Sequence, residues 1–122
     1  MKPICLLATL LLSFASVNAQ IGEVKKDGTL LRIYDEKGNN TGLYVSLCSS
    51  CDLAGYNSDN IVVNEGTIAR IYDANGNNTG SYVSLCSGCY VKNVTKSAIL
   101  VKEGSVIRYY NFSGNFLYYT ND

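Results

Sequence analysis

One phrase in this chain is written twice and then a third time in worn form. Gly28-Thr-Leu-Leu-Arg-Ile-Tyr-Asp-Glu-Lys-Gly-Asn-Asn-Thr-Gly returns 38 residues later as Gly66-Thr-Ile-Ala-Arg-Ile-Tyr-Asp-Ala-Asn-Gly-Asn-Asn-Thr-Gly. A degraded copy starts at Gly104 as Gly-Ser-Val-Ile-Arg-Tyr-Tyr-Asn-Phe-Ser-Gly-Asn. Repetition at such a period means that one small supersecondary unit is reused, each copy burying its neighbour's apolar face. Copies run over about residues 22–59, 60–97 and 98–122.

Each copy divides into short runs rich in Ile, Val, Tyr and Thr, bounded by Gly, Asn and Asp, which are strand and hairpin signals. In the second copy these runs are Ile61–Val63, Thr67–Tyr72, Ser81–Leu85 and Tyr90–Val94. Apolar residues nowhere keep a helical spacing for three turns outside the leader. The expectation is an all-β fold of tandem hairpin repeats, stacked as a small solenoid-like or wrapped sheet. A β-trefoil-like arrangement is the alternative, although the third copy lacks a counterpart of the cysteine loop. Alternation places Leu31 and Ile33, Ala69 and Ile71, and Ile107 and Tyr109 on the core face. The opposite face interleaves Arg32 with Tyr34, Arg70 with Tyr72 and Arg108 with Tyr110.

Residues 1–19 read as a signal peptide. Lys2 begins it, Cys5 to Phe14 form the apolar stretch, and Val17-Asn18-Ala19 supplies small residues for cleavage. That stretch is shorter than the roughly 20 residues a membrane-spanning helix needs. The expected location is therefore secreted, extracellular or periplasmic, with no membrane span. Residues 20–122 fit a single domain. Of the ten Lys and Arg, Lys2 leaves with the leader, so nine basic side chains face ten acidic ones. This near-neutral balance gives no electrostatic reason to expect nucleic acid as a partner. Sequons occur at Asn39, Asn77, Asn93 and Asn111, although Asn and Thr are also what tight turns use.

Cys48-Ser-Ser-Cys51 and Cys86-Ser-Gly-Cys89 occupy matching places in the first two copies. Disulfides suit an exported chain. The chain-entropy model assigns about 4 kcal/mol to a bridge between copies but only about 2 to one within a motif. A zinc site of all four thiolates is the rival, since paired Cys-x-x-Cys knuckles hold zinc. A redox dithiol would be expected at a helix N-terminus, and the flanks here are β-like.

The chain has no histidine, which removes the commonest general base, and no enzyme is expected. Asp35, Asp73, Glu65 and Glu103 fall at turn positions that need no catalytic reason. Asp73-x-Asn75-x-Asn77 mimics a calcium loop but lacks its closing glutamate, so a hairpin turn explains it better. No cofactor is implied.

The Arg-Ile-Tyr-Asp-x-x-Gly-Asn hairpins resemble short repeats of secreted bacterial proteins without assigned activity. The ten tyrosines carry the remaining information. Tyr34, Tyr72 and Tyr110 make one row, and Tyr44 and Tyr82 another. Tyr beside Arg on one face suits contact with a glycan or protein partner. The expected contact residues are Arg32, Tyr34, Arg70, Tyr72, Arg108 and Tyr110. The aromatic last copy, with Tyr118 and Tyr119, offers an edge for self-association. The overall expectation is a non-enzymatic binding or envelope/matrix protein, with a four-cysteine metal module as the alternative.

Overall fold

The computed structural model describes residues 20–122; the proposed signal peptide lies outside them. The described chain is all β, without a helix, and forms three open antiparallel sheets. The first contains β1 (Ile21–Asp27), β2 (Leu30–Asp35) and β3 (Asn40–Ser46). The second runs in chain order through β4 (Asp52–Tyr56), β5 (Asn60–Glu65), β6 (Ile68–Asp73) and β7 (Asn78–Ser84). The third contains β8 (Tyr90–Val94), β9 (Ile99–Glu103), β10 (Val106–Tyr110) and β11 (Phe116–Asn121). Three separate open sheets, with no closed barrel, do not make the trefoil-like alternative.

The sequence copies and the sheets are out of phase by one strand. β4 belongs to the first copy by sequence but hydrogen-bonds to β5 in the second sheet, and β8 likewise joins the third. The chain leaves β3 at one edge of a sheet and enters β4 at the opposite edge of the next. Leu47 to Cys51 and Leu85 to Cys89 make these crossings.

Turn chemistry fixes the pairing. Glu65 faces Ile68 across a two-residue loop whose first member, Gly66, has φ 72°. Glycine is the residue that adopts this conformation at no steric cost. In the next hairpin Asp73 Oδ1 accepts backbone N–H bonds from Asn75 at 2.8 Å and Asn77 at 3.0 Å. Asp35 does the same for Lys37 and Asn39, and Asn111 for Ser113 and Asn115. The would-be calcium ligand is thus spent on its own turn.

Two apolar layers hold the sheets together. Val24, Leu31, Ile33 and Val45 of the first sheet meet Ile61 and Val63 of the second. Val62, Ala69, Ile71 and Val83 on the second sheet's other face meet Ile99 and Val101 of the third. The middle sheet is therefore covered on both sides, which explains the unbroken apolar run Ile61-Val62-Val63. At about 25 cal/mol per Å² of apolar area, such layers are the dominant stabilising term. Polar ties are few: Ile21 N–H donates to the Ser58 carbonyl at 2.8 Å, and Asn57 Nδ2 to that of Thr95 at 3.0 Å.

Candidate functional site

Strands β3, β7 and β11 form corresponding edges of the three sheets. Their sequences, Asn-Thr-Gly-Leu-Tyr-Val-Ser, Asn-Thr-Gly-Ser-Tyr-Val-Ser and Phe-Leu-Tyr-Tyr-Thr-Asn, contain no charged residue. The free edge of β1, by contrast, carries Glu23, Lys25, Lys26 and Asp27. Charge is a common guard of exposed strand edges, so its absence from three edges sets them apart.

Each uncharged edge presents one tyrosine opposite the arginine of its neighbouring strand. Tyr44 pairs with Arg32, Tyr82 with Arg70 and Tyr119 with Arg108. These tyrosines are 51%, 49% and 59% exposed. Tyr119 escapes a search at the repeat period because β11 reaches its register one residue sooner than β7. Its signal is the arginine across the pair rather than the sequence spacing.

The edges are stiffened from within. Thr41 Oγ1 donates to the Ile33 carbonyl at 2.7 Å, and Asn40 Oδ1 accepts from Gly42 N–H at 2.9 Å. Thr79 and Asn78 repeat both bonds toward Ile71 and Gly80 at 2.8 Å. The accompanying register shifts bend β3 and β7 away from regular pairing, so an added strand would find an interrupted template. The next sheet's turn then leans on the edges of β3 and β7. A Cβ on Gly76 would collide with the Tyr44 carbonyl oxygen, and one on Gly114 with that of Tyr82. Between β7 and the β10–β11 turn lies an open groove of about 520 Å³, lined by Ser81, Tyr82, Ser84, Tyr110, Asn115 and Phe116 among others.

The arginine row proposed from sequence is distributed differently. Arg70 donates to Glu65 at 2.7 Å, and the Tyr72 hydroxyl donates to the same carboxylate at 3.1 Å. Burial first, and the Glu65 charge second, push the Tyr72 phenol above its ordinary pKa. Tyr72 packs on the layer between the first two sheets, and Tyr110 on the layer between the second and third. Arg108 pairs with Glu103 at 2.9 Å. Arg32 bonds Asp27 at 2.7 Å on the outward face of the first sheet, where Lys25 sits 4.9 Å from the Tyr34 ring centre. The six residues therefore divide among two interlayers and one outer face. They do not form one continuous surface.

The cysteines pair within their motifs, Cys48 with Cys51 and Cys86 with Cys89, at Cα separations of 5.0 and 5.1 Å. The bridge between copies, favoured on chain entropy alone, does not form. Nor do the four sulfurs gather into one zinc-like group. Among the described residues, the grouping of metal-ligating atoms is Cys86, Cys89 and Glu103. Also among the described residues, no helix is long and apolar enough to cross a membrane.

No protein-family model matches the chain, and no curated protein matches it. Among solved structures it is similar to a protein of unknown function from Bacteroides caccae, at 14% identity and a TM-score of 0.54. That likeness covers 84% of this chain and 39% of the other, so the chain spans about two fifths of that protein's length. It extends the all-β fold to a second protein and says nothing of activity. A weaker likeness, TM-score 0.36 at 15% identity, links 76% of this chain to 44% of Kluyveromyces lactis Hsv2.

Proposed function

We propose that this is a secreted, non-enzymatic binding protein whose ligand is a neutral glycan lying along the edges of β3, β7 and β11. The observation that carries the reading is the row of half-exposed Tyr44, Tyr82 and Tyr119 on strands without a charge. A sugar's C–H face stacks on a tyrosine ring, and its hydroxyls exchange hydrogen bonds with neighbouring Ser, Thr and Asn. An uncharged surface desolvates at less cost than a charged one when it meets a neutral partner. The interrupted edges argue against strand addition and favour recognition by side chains. Secretion is supported by the two cysteine pairs, which persist in oxidising compartments.

Affinity electrophoresis through gels containing neutral polysaccharides tests the reading, with a charged polysaccharide as the contrast. Retardation should survive high salt and fall in Tyr44→Ala, Tyr82→Ala and Tyr119→Ala without a matching drop in Tm. Retardation unchanged in the triple variant, or confined to the charged gel, would sink it.

A further inference from the structure

The two Cys-x-x-Cys motifs share a sequence position but not an environment, and that difference points to a site. Around the second motif, a sulfur from each of Cys86 and Cys89 and a carboxylate oxygen of Glu103 lie within 4.8 Å of one another. Glu65 is the counterpart of Glu103 beside the first motif, yet among the described residues no such group forms there. Both oxygens of Glu65 are engaged, Oε1 by Arg70 and Oε2 by the Tyr72 hydroxyl. Glu103 keeps the arginine contact, Arg108 meeting its Oε1 at 2.9 Å, but among the described residues it receives no hydrogen bond from Tyr110. The loops differ as well. Gly88 holds φ 81°, whereas Ser50 at the same place in the first motif keeps φ negative. Cys86 is exposed, while Cys89 and Glu103 are half-buried, so solvent and a cation can reach the group.

We propose that, in its dithiol form, the second motif binds one zinc-class divalent cation through Cys86, Cys89 and Glu103. A dithiol reductant exchanges with the Cys86–Cys89 bond, giving two protein thiols and the oxidised, ring-closed reductant. The two thiols then release their protons to solvent as the cation binds. Two thiolates and one carboxylate make a three-ligand set that leaves a fourth position for water, a pattern zinc accepts. Arg108, which meets Oε1 of the same carboxylate, fixes its orientation, as outer partners of ligands commonly do. The oxidised motif offers no thiolate, so occupancy follows redox state. The site is independent of the tyrosine edge and of the glycan reading.

Cobalt(II) titration of the full mature chain tests this, after reduction and removal of reductant under inert gas. The expected result is one cobalt per chain, with charge-transfer intensity for two thiolates, and no binding by oxidised protein. Cys86→Ser with Cys89→Ser should abolish the signal, and Cys48→Ser with Cys51→Ser should leave it intact. Glu103→Gln should weaken binding by about tenfold or more, the scale that even outer partners of a ligand command. Glu65→Gln, which breaks the matching arginine pair, serves as the control and should leave affinity unchanged. Two cobalt ions per chain, intensity for four thiolates, loss of signal in the Cys48/Cys51 variant, or equal affinities in the two glutamine variants would each overturn the proposal. The thiolate count is read on unmutated protein, so the test holds even if a variant fails to fold.

Discussion

The first and third sheets end the stack in opposite ways. At corresponding positions, Ile61 and Val63 of the middle sheet press on the sheet before it, whereas the first sheet carries Glu23 and Lys25 there, paired at 4.0 Å. The third sheet's outward face keeps its greasy character: Ile107 is 4% exposed, and Tyr109 stacks on Tyr118 with ring centres 4.4 Å apart. The tyrosine pair and the Lys102–Asp122 ion pair shield that face without making it polar throughout. A repeat stack needs a polar outer face where stacking is to be refused. By that criterion the first sheet is closed to further packing, and the third is only partly so.

The hardest blow to this comparison is to exchange residues across it. Ile61→Glu places the first sheet's residue in a fully buried layer and should cost more than about 4 kcal/mol, enough to unfold the domain in chemical denaturation. Glu23→Ile, the reverse exchange, should change stability by no more than about 0.5 kcal/mol. A mild effect of Ile61→Glu would mean the first two sheets do not truly pack.

A second contrast sets Ile71 against Tyr109, which stands at the same position one copy later. Ile71→Ala empties a sealed layer and should cost about 2–5 kcal/mol. Tyr109→Ala should cost nearer 1 kcal/mol, mainly through the lost ring pair. Equal losses would show that the outer face of the third sheet is covered as thoroughly as an inner one.

The turns provide a smaller test. Gly38 and Gly114 both hold φ 85°, so alanine strains each by about 1 kcal/mol. Only Gly114→Ala also drives a methyl into the Tyr82 backbone, while Gly38 has open space around it. Its Tm should fall further than that of Gly38→Ala. Equal shifts would mean the third turn does not rest on the second sheet.

The smallest expected effect depends on pH. Backbone bonding, led by the Asn39 N–H, holds the Asp35 carboxyl below its usual range. A depressed folded-state pKa adds stability that is complete above the ordinary carboxylate pKa and lost as pH falls through the lowered value. The third sheet uses Asn111 in this role, which does not titrate. Acidification should therefore loosen the first turn and not the third, as followed by amide hydrogen exchange at Lys37, Asn39, Ser113 and Asn115. Asp35→Asn should abolish the difference.

Strand positions, turns and the apolar row Leu31, Ile33, Ala69 and Ile71 were legible because alternation and glycine placement are local signals. The strand exchange between copies was not. β4 and β8 look like the ends of their own repeats, and only through-space pairing assigns them to the next sheet. The cysteine pairing stays open in the sequence for a related reason. Loop entropy describes the unfolded chain, whereas the crossing links hold each motif's two cysteines close and leave the two motifs apart. Tyr44 and Tyr82 could be found by spacing; Tyr119 could be found only by pairing.

The crossing from one sheet's last strand to the far border of the next governs how such a gene can grow or shrink. Duplicating a stretch of one whole period, 38 residues, joins like to like at the seam and inserts a complete middle layer. An insertion out of phase strands a segment with no hydrogen-bonding neighbour. Viable length changes therefore come in steps of entire layers.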